Sequence, residues 1–285
     1  LLKDFQVHQD SLSLSMQYAD SLEWMADKKN DPLWQVRAAY VKGFLYRTHD
    51  QFTEALIHYQ RALNLSRTHG FRDREAMTLN GLGMTYNLLG RYPEALRNLF
   101  LSLEIRNEME QDQASLAIVL NNIGLVYYSL GDYTEAENYF RKSYESDSVQ
   151  LLKLINLGLV ALEEGKNELA KNYFYQFKRQ NSDTLNSLYQ EYLIGLGLYF
   201  KKRENYDSAI YYFGQSVAIG NTKLQDYQLA MSLYDMAAVN YDRKEYRVAD
   251  SIARQSIELS KQLDAKKLVL QNMLLLAKAN TRLNK

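Results

Sequence analysis

Apolar residues return along this chain at helical spacing, in paired runs. Leu120, Ile123, Gly124 and Tyr127 fall at i, i+3, i+4 and i+7, one face of a helix. Leu130-Gly131-Asp132 breaks that pattern, because glycine at a helix end takes the left-handed turn that side chains resist. Ala136, Tyr139, Phe140 and Ser143 then resume it. The pattern predicts a helical hairpin. The same hairpin is written six times, each as a small residue followed twelve positions later by alanine: Gly43 and Ala55, Gly83 and Ala95, Gly124 and Ala136, Gly158 and Ala170, Gly197 and Ala209, Ala237 and Ala249. Tyr46, Tyr86, Tyr127 and Phe200 follow the first anchor by three, and Phe52, Tyr92, Tyr133, Tyr206 and Tyr246 precede the alanine by three.

Successive first anchors are separated by 40 (43 to 83), 41 (83 to 124), 34 (124 to 158), 39 (158 to 197), 40 (197 to 237) and 40 (237 to Ala277) residues. A fixed internal offset over such a period marks a stacked repeat. Glycine inside a helix costs about 1 kcal/mol against alanine, so its recurrence needs a reason. Close approach of the two helices supplies one, with Tyr127 and Phe140 filling the space beside Gly124 and Ala136. The expected architecture is all-α, a right-handed superhelical solenoid of antiparallel helix pairs. It is read as a single solenoid over 1–285: a partial first unit over 1–33, repeats over about 36–69, 76–110, 117–147, 151–181, 190–221 and 230–263, and a terminal helix over 266–284.

These residues carry a resemblance. Leu79-x-x-Leu82-Gly83-x-x-Tyr86 and Leu120-x-x-Ile123-Gly124-x-x-Tyr127 resemble the first helix of the tetratricopeptide repeat. Ala55-x-x-x-Tyr59, Ala136-x-x-x-Phe140, Ala170-x-x-x-Phe174 and Ala209-x-x-x-Phe213 resemble its second helix. The chain departs from that pattern in three ways. Ala39, Leu79, Leu120, Leu154, Leu193 and Leu233 stand where the family has tryptophan, the proline after the second helix is missing, and the period is mostly near 40 rather than 34. Longer units of this kind are similar to repeats of kinesin light chains, spindle adaptors and bacterial regulators that bind peptides or response regulators. The resemblance implies a protein or peptide partner.

Composition narrows the classes. The 34 basic and 34 acidic residues balance, with no basic stripe for nucleic acid. No apolar run approaches a bilayer span and no signal peptide is visible, so no membrane contact is expected of this stretch. Cysteine is absent, which removes disulfides, thiolate nucleophiles and cysteine metal sites and fits either cytoplasm or periplasm. The chain starts without methionine, and its final helix carries Leu270, Met273, Leu274, Leu276 and Ala277. That face is expected to pack on the sixth hairpin, leaving Leu275 and its neighbours seeking a second helix. A fragment of a longer protein is expected, with the terminal helix a candidate for self-association.

No catalytic, metal or cofactor constellation is legible. His8, His49, His58 and His69 lack acid–base partners, and Gly81-Leu82-Gly83 and Gly195-Leu196-Gly197 lie within helices rather than after a strand. The chain is read as no enzyme. Function is expected instead on the concave face, which the first helices of stacked hairpins line. Its candidate residues are Asn80, Met84 and Asn87, then Asn121, Asn122, Leu125 and Tyr128, then Asn156 and Leu159. Arg37, Tyr40, Phe44, Arg47, Glu191, Ile194, Leu198, Lys201, Met231, Tyr234, Asp235 and Tyr241 extend the same face. Asparagine is a poor helix former, yet its amide donates to and accepts from an extended backbone. Bonding between repeats, or solvent exposure, is the rival use of these amides. Methionine beside them adapts to varied ligands. The leading expectation is a non-enzymatic scaffold that binds a protein or peptide in this groove. The alternatives are the sensory region of a bacterial regulator with a histidine kinase or DNA-binding output, and a repeat protein that modulates an enzyme.

Overall fold

The computed structural model describes residues 12–49, 51–109, 113–146, 151–183, 187–220, 227–263 and 265–283. Those residues form helices and no strand. They fall into two compact units, 1–150 and 151–285. The expected repeat ends at 110, 147 and 221, the terminal residue 284, the stretch 1–11 and His8 lie outside the described residues.

Unit 1 runs α1 (Leu12–Lys28), α2 (Pro32–Thr48), α3 (Phe52–Thr68), α4 (Arg72–Leu88), α5 (Tyr92–Met109), α6 (Gln113–Leu130) and α7 (Tyr133–Ser146). The hairpins are α2/α3, α4/α5 and α6/α7, and each second helix packs on the next first helix. Local chemistry sets the ends. Asp31 caps α2 by accepting from the backbone N–H of Leu33 and Trp34 at 3.1 and 3.3 Å, with Pro32 at the first helical position. Gly131, at φ 81°, closes α6: the Asp132 N–H bonds to the Tyr127 carbonyl, which is the glycine stop that the sequence predicts. Ion pairs fasten α1: buried Lys42 meets Asp20 at 2.6 Å and also Glu23, which holds Arg61 of α3.

Unit 2 runs α8 (Leu152–Glu163), α9 (Asn167–Gln180), α10 (Ser187–Lys202), α11 (Tyr206–Gly220), α12 (Tyr227–Asp242), α13 (Tyr246–Gln262) and α14 (Lys266–Leu283). Its hairpins are α8/α9, α10/α11 and α12/α13, with α14 packed on α13.

The repeated glycines make room for rings. A Cβ on Gly124 would stand 2.6 Å from Phe140, so the ring lies over the glycine, and Tyr127 instead stacks on Tyr139 at 5.5 Å. Close backbone approach contributes at Gly83, where a Cβ would meet the Ala95 carbonyl oxygen at 3.1 Å. The first glycine of each Gly-x-Gly serves the preceding repeat. A Cβ on Gly43 or Gly81 would stand 2.7 or 2.8 Å from fully buried Tyr59, and one on Gly158 or Gly195 would stand 2.5 or 2.8 Å from Phe174, so each ring is pinched between two glycines. Helices α4 and α10 thus carry two packing stripes. Gly83 faces its own second helix, at Leu99 and Ala95, and Gly81 faces the ring of the preceding one.

A buried hydroxyl staple recurs with the hairpin. Ser102, Ser143 and Ser256 donate to the carbonyls of Ala76, Ala117 and Ala230 at 2.7, 2.6 and 2.7 Å. Each serine lies seven residues after its anchor alanine. The same place in α11 is Ser216, whose carbonyl accepts from Gln190 and whose hydroxyl meets Ser232 at 2.8 Å.

The terminal helix corrects one expectation. Leu275 is buried, together with Leu268, Asn272 and Ala279, whereas Leu270, Met273, Leu274 and Ala277 face outward. The buried set is the stripe that faces a preceding hairpin. Asn272 fixes it by donating to the Ser256 hydroxyl and to the Leu268 carbonyl, both at 2.9 Å. Apolar residues surround most of this helix, so periodicity alone selects the wrong side.

Candidate binding face

In unit 1 the first helices α2, α4 and α6 are neighbours. Beside their packing stripes lies a further set at i, i+4 and i+7: Tyr40, Phe44 and Arg47 on α2, Asn80, Met84 and Asn87 on α4, and Asn121, Leu125 and Tyr128 on α6. Most are half-buried, while Asn121 is only 6% exposed. The Asn122 amide donates to the Asn80 Oδ1 at 2.9 Å, bonding one repeat to the next. Asn87 carries the opposite condition, because its Oδ1 is buried and receives no donor from the described residues. Leaving such an acceptor unmet costs about 1–3 kcal/mol. Tyr128 leans on Tyr133 at 5.6 Å between ring centroids.

Toward α2 the face becomes basic and aromatic. Arg37 lies over the Trp34 ring at 4.5 Å and Arg47 over Phe44 at 5.3 Å. The Arg47 Nε also reaches the Tyr59 hydroxyl at 3.4 Å. Burial pushes the Tyr40 hydroxyl well above its ordinary range, reinforced by Tyr59, while Arg47, Arg74 and Arg106 pull the other way. Arg106, nearly buried, is paired with Asp73 at 2.5 Å.

Unit 2 presents its own first-helix face on α8, α10, α12 and α14, neighbouring in that order. Asn156 is 7% exposed on α8, and Leu159 is half-buried beside it. Further along, apolar Ile194 and Leu198 accompany Lys201 on α10, and Tyr234 and Tyr241 stand on α12. Two carboxyls are sunk among them. Desolvation raises Glu191, while a hydrogen bond from the Gln228 Nε2 at 3.4 Å pulls it back. Burial pushes Asp235 up to about 7 against the attraction of Lys201. Sequence reasoning placed both on this face without marking either as a site, since nothing in helical spacing tells a sunk carboxyl from a solvated one. No helix of the described residues is long and apolar enough to cross a membrane.

Paired helices whose buried anchors recur in phase define a helical-repeat scaffold. The tetratricopeptide-repeat family model matches residues 34–108 and 74–148, so this stretch consists of tetratricopeptide repeats, and the described helices beyond it continue the same hairpin. No curated protein matches the sequence. Among solved structures, the Cut9–Hcn1 hetero-tetramer of the APC/C is similar at TM-score 0.67 and 16% identity, over 94% of this chain and 48% of that one; this chain spans about half of that relative. The apo form of the quorum sensor NprR from B. thuringiensis is similar at TM-score 0.63 and 15% identity, over 96% of this chain and 84% of that one. Apo RapI is similar at TM-score 0.57 and 14% identity, over 98% and 95%. These likenesses describe the fold.

Proposed function

We propose that this chain is a non-enzymatic scaffold whose first-helix faces bind an extended protein segment. The observation that carries the reading is the pair of neighbouring stripes in unit 1, Asn80–Met84–Asn87 on α4 and Asn121–Leu125–Tyr128 on α6. Amide groups there alternate with half-buried apolar side chains, and the Asn87 oxygen is left without a donor. An extended backbone offers the N–H and C=O groups that amides bond, and adaptable Met84 and Leu125 suit its side chains. Asn122, bonded to Asn80, sets the edge of this surface. In unit 2, Asn156 and Leu159 hold the corresponding part of the face.

A random peptide library panned on the immobilised chain tests this reading. Peptides enriched on the wild type are expected to bind Met84→Glu/Leu125→Glu at least ~10-fold more weakly, about 1.4 kcal/mol, with an unchanged thermal melt. Equal affinity for the double variant would overturn it. Likeness to a quorum sensor over most of both chains favours a second reading, the sensing region of a signalling regulator. The gene beyond Lys285 decides that one, where a histidine kinase or DNA-binding segment is expected.

A further inference from the structure

Register sets two places in the molecule side by side. In unit 1 the residue two before the anchor of α6 is Asn122, and its amide is satisfied by Asn80, three before the anchor of α4. In unit 2 the residue two before the anchor of α12 is Asp235, and the place that corresponds to Asn80 is Ile194 on α10. Ile194 has no donor to give. Asp235 is 7% exposed, and no described residue donates a hydrogen bond to its carboxylate. The cation that acts on it is Lys201, which is shared with Asp242 at 3.7 Å. One helical turn earlier in register stands Glu191, its carboxylate met by the Gln228 amide at 3.4 Å. Along this seam between neighbouring helices α10 and α12, Lys201 serves Asp235 and Asp242, and Glu191 stands a turn earlier with Gln228.

A carboxylate that water barely reaches, and that no protein donor reaches, gains most from a charged N–H brought to it. Leu198 and Tyr234, both half-buried, lie on the same two helices and leave apolar surface on this face, while Ile194 is buried in the core below with Phe213 and Val239. A lysine or arginine side chain matches both features, since its methylenes lie along apolar surface while its cationic end seeks the acid. We propose that the first-helix face of unit 2 takes a basic peptide segment, with the ammonium or guanidinium of one residue seated on Asp235. This deepens the function proposed above and rests on it.

The test is panning of a random dodecapeptide library on the full 285-residue chain at pH 8, on wild type and on Asp235→Asn in parallel. Asparagine already holds this register place in α6 and α8, so the variant is expected to fold, which a thermal melt checks. The wild-type pool is expected to fix lysine or arginine at one position, and the Asp235→Asn pool to lose that preference. One peptide from the wild-type pool should weaken at least tenfold on Asp235→Asn, and equally when its basic residue is replaced by norleucine on the wild type. The two changes together should weaken it no further. A wild-type pool without a fixed basic position, or a norleucine peptide that binds as well as its parent, sinks the basic seat and leaves the scaffold reading standing. A library from which nothing is enriched sinks both.

Discussion

The place two residues before the packing anchor is glycine on α4 and α10, asparagine on α6 and α8, and aspartate on α12. On α4 and α10 the glycine yields to the ring of the preceding hairpin, Tyr59 in unit 1 and Phe174 in unit 2. On α6 the asparagine closes the seam with an amide bond to Asn80, and on α12 the aspartate leaves it open. One scaffold position thus serves packing, cross-repeat bonding or an unmet charge, according to the residue it carries. The stripes that hold the hairpins together are fixed by close packing, and the chemistry of the face varies at their edge. Unit 1 offers amides, methionine and arginine; unit 2 offers apolar side chains with sunk acids.

The largest effects should come from what the units share. Phe174→Ala empties the slot between Gly158 and Gly195 and is expected to cost about 3–5 kcal/mol in denaturant unfolding. Tyr59→Ala should cost as much and also strip Arg47 of its hydroxyl partner. A cost well below this range at either ring would show that the glycine pairs do not clamp.

Next comes the pH dependence that separates the units. The Asp235 carboxyl, near 3.8 in the unfolded chain, is pushed up to about 7 when folded, so the native protein holds its proton longer. Its contribution to stability is full below about pH 4, falls as pH rises from 4 to 7, and is flat above. The difference in unfolding free energy between wild type and Asp235→Asn should trace that fall, at most about 4 kcal/mol by the 1.36 kcal/mol worth of each pKa unit. A difference that is constant from pH 4 to pH 8 would place the carboxyl in contact with water. Asn122→Ala should show no such slope and should cost about 0.5–1.5 kcal/mol, the net worth of one hydrogen bond. The smallest expected change is a gain. Lys244 sits at φ 67° between α12 and α13, where Gly131 stands between α6 and α7, and Lys244→Gly should add about 1 kcal/mol by removing the left-handed penalty.

The hairpins were legible in the sequence because their anchors are spaced by close packing, and Gly124 beside Ala136 is enough to show it. The purpose of the glycines was legible only in part. Spacing shows a need for room, and only coordinates show that the Phe140 ring fills it. The serine staple carried a readable signal, a serine seven residues after the anchor alanine in four hairpins, yet a small polar residue on an apolar stripe passes for filler. The inward side of α14 was not legible, because Leu270, Met273, Leu274 and Leu275 wrap the helix and the choice falls to one amide, Asn272. The candidate face follows the same division. Its stripes come from helical period, whereas the pairing of Asn122 with Asn80 and the sinking of Asp235 depend on which residue stands opposite in the neighbouring repeat.

Because the chain has no cysteine, a single introduced thiol reports one place on the surface. Met84→Cys and Leu125→Cys put it on the first-helix face of unit 1, and Arg97→Cys and Asn138→Cys put it on the exposed sides of the second helices α5 and α7. A library-selected peptide carrying a bromoacetyl group, mixed with each variant, should alkylate positions 84 and 125 and spare 97 and 138. Alkylation at 97 or 138 in preference to 84 and 125 would contradict the central claim that the first helices form the binding face.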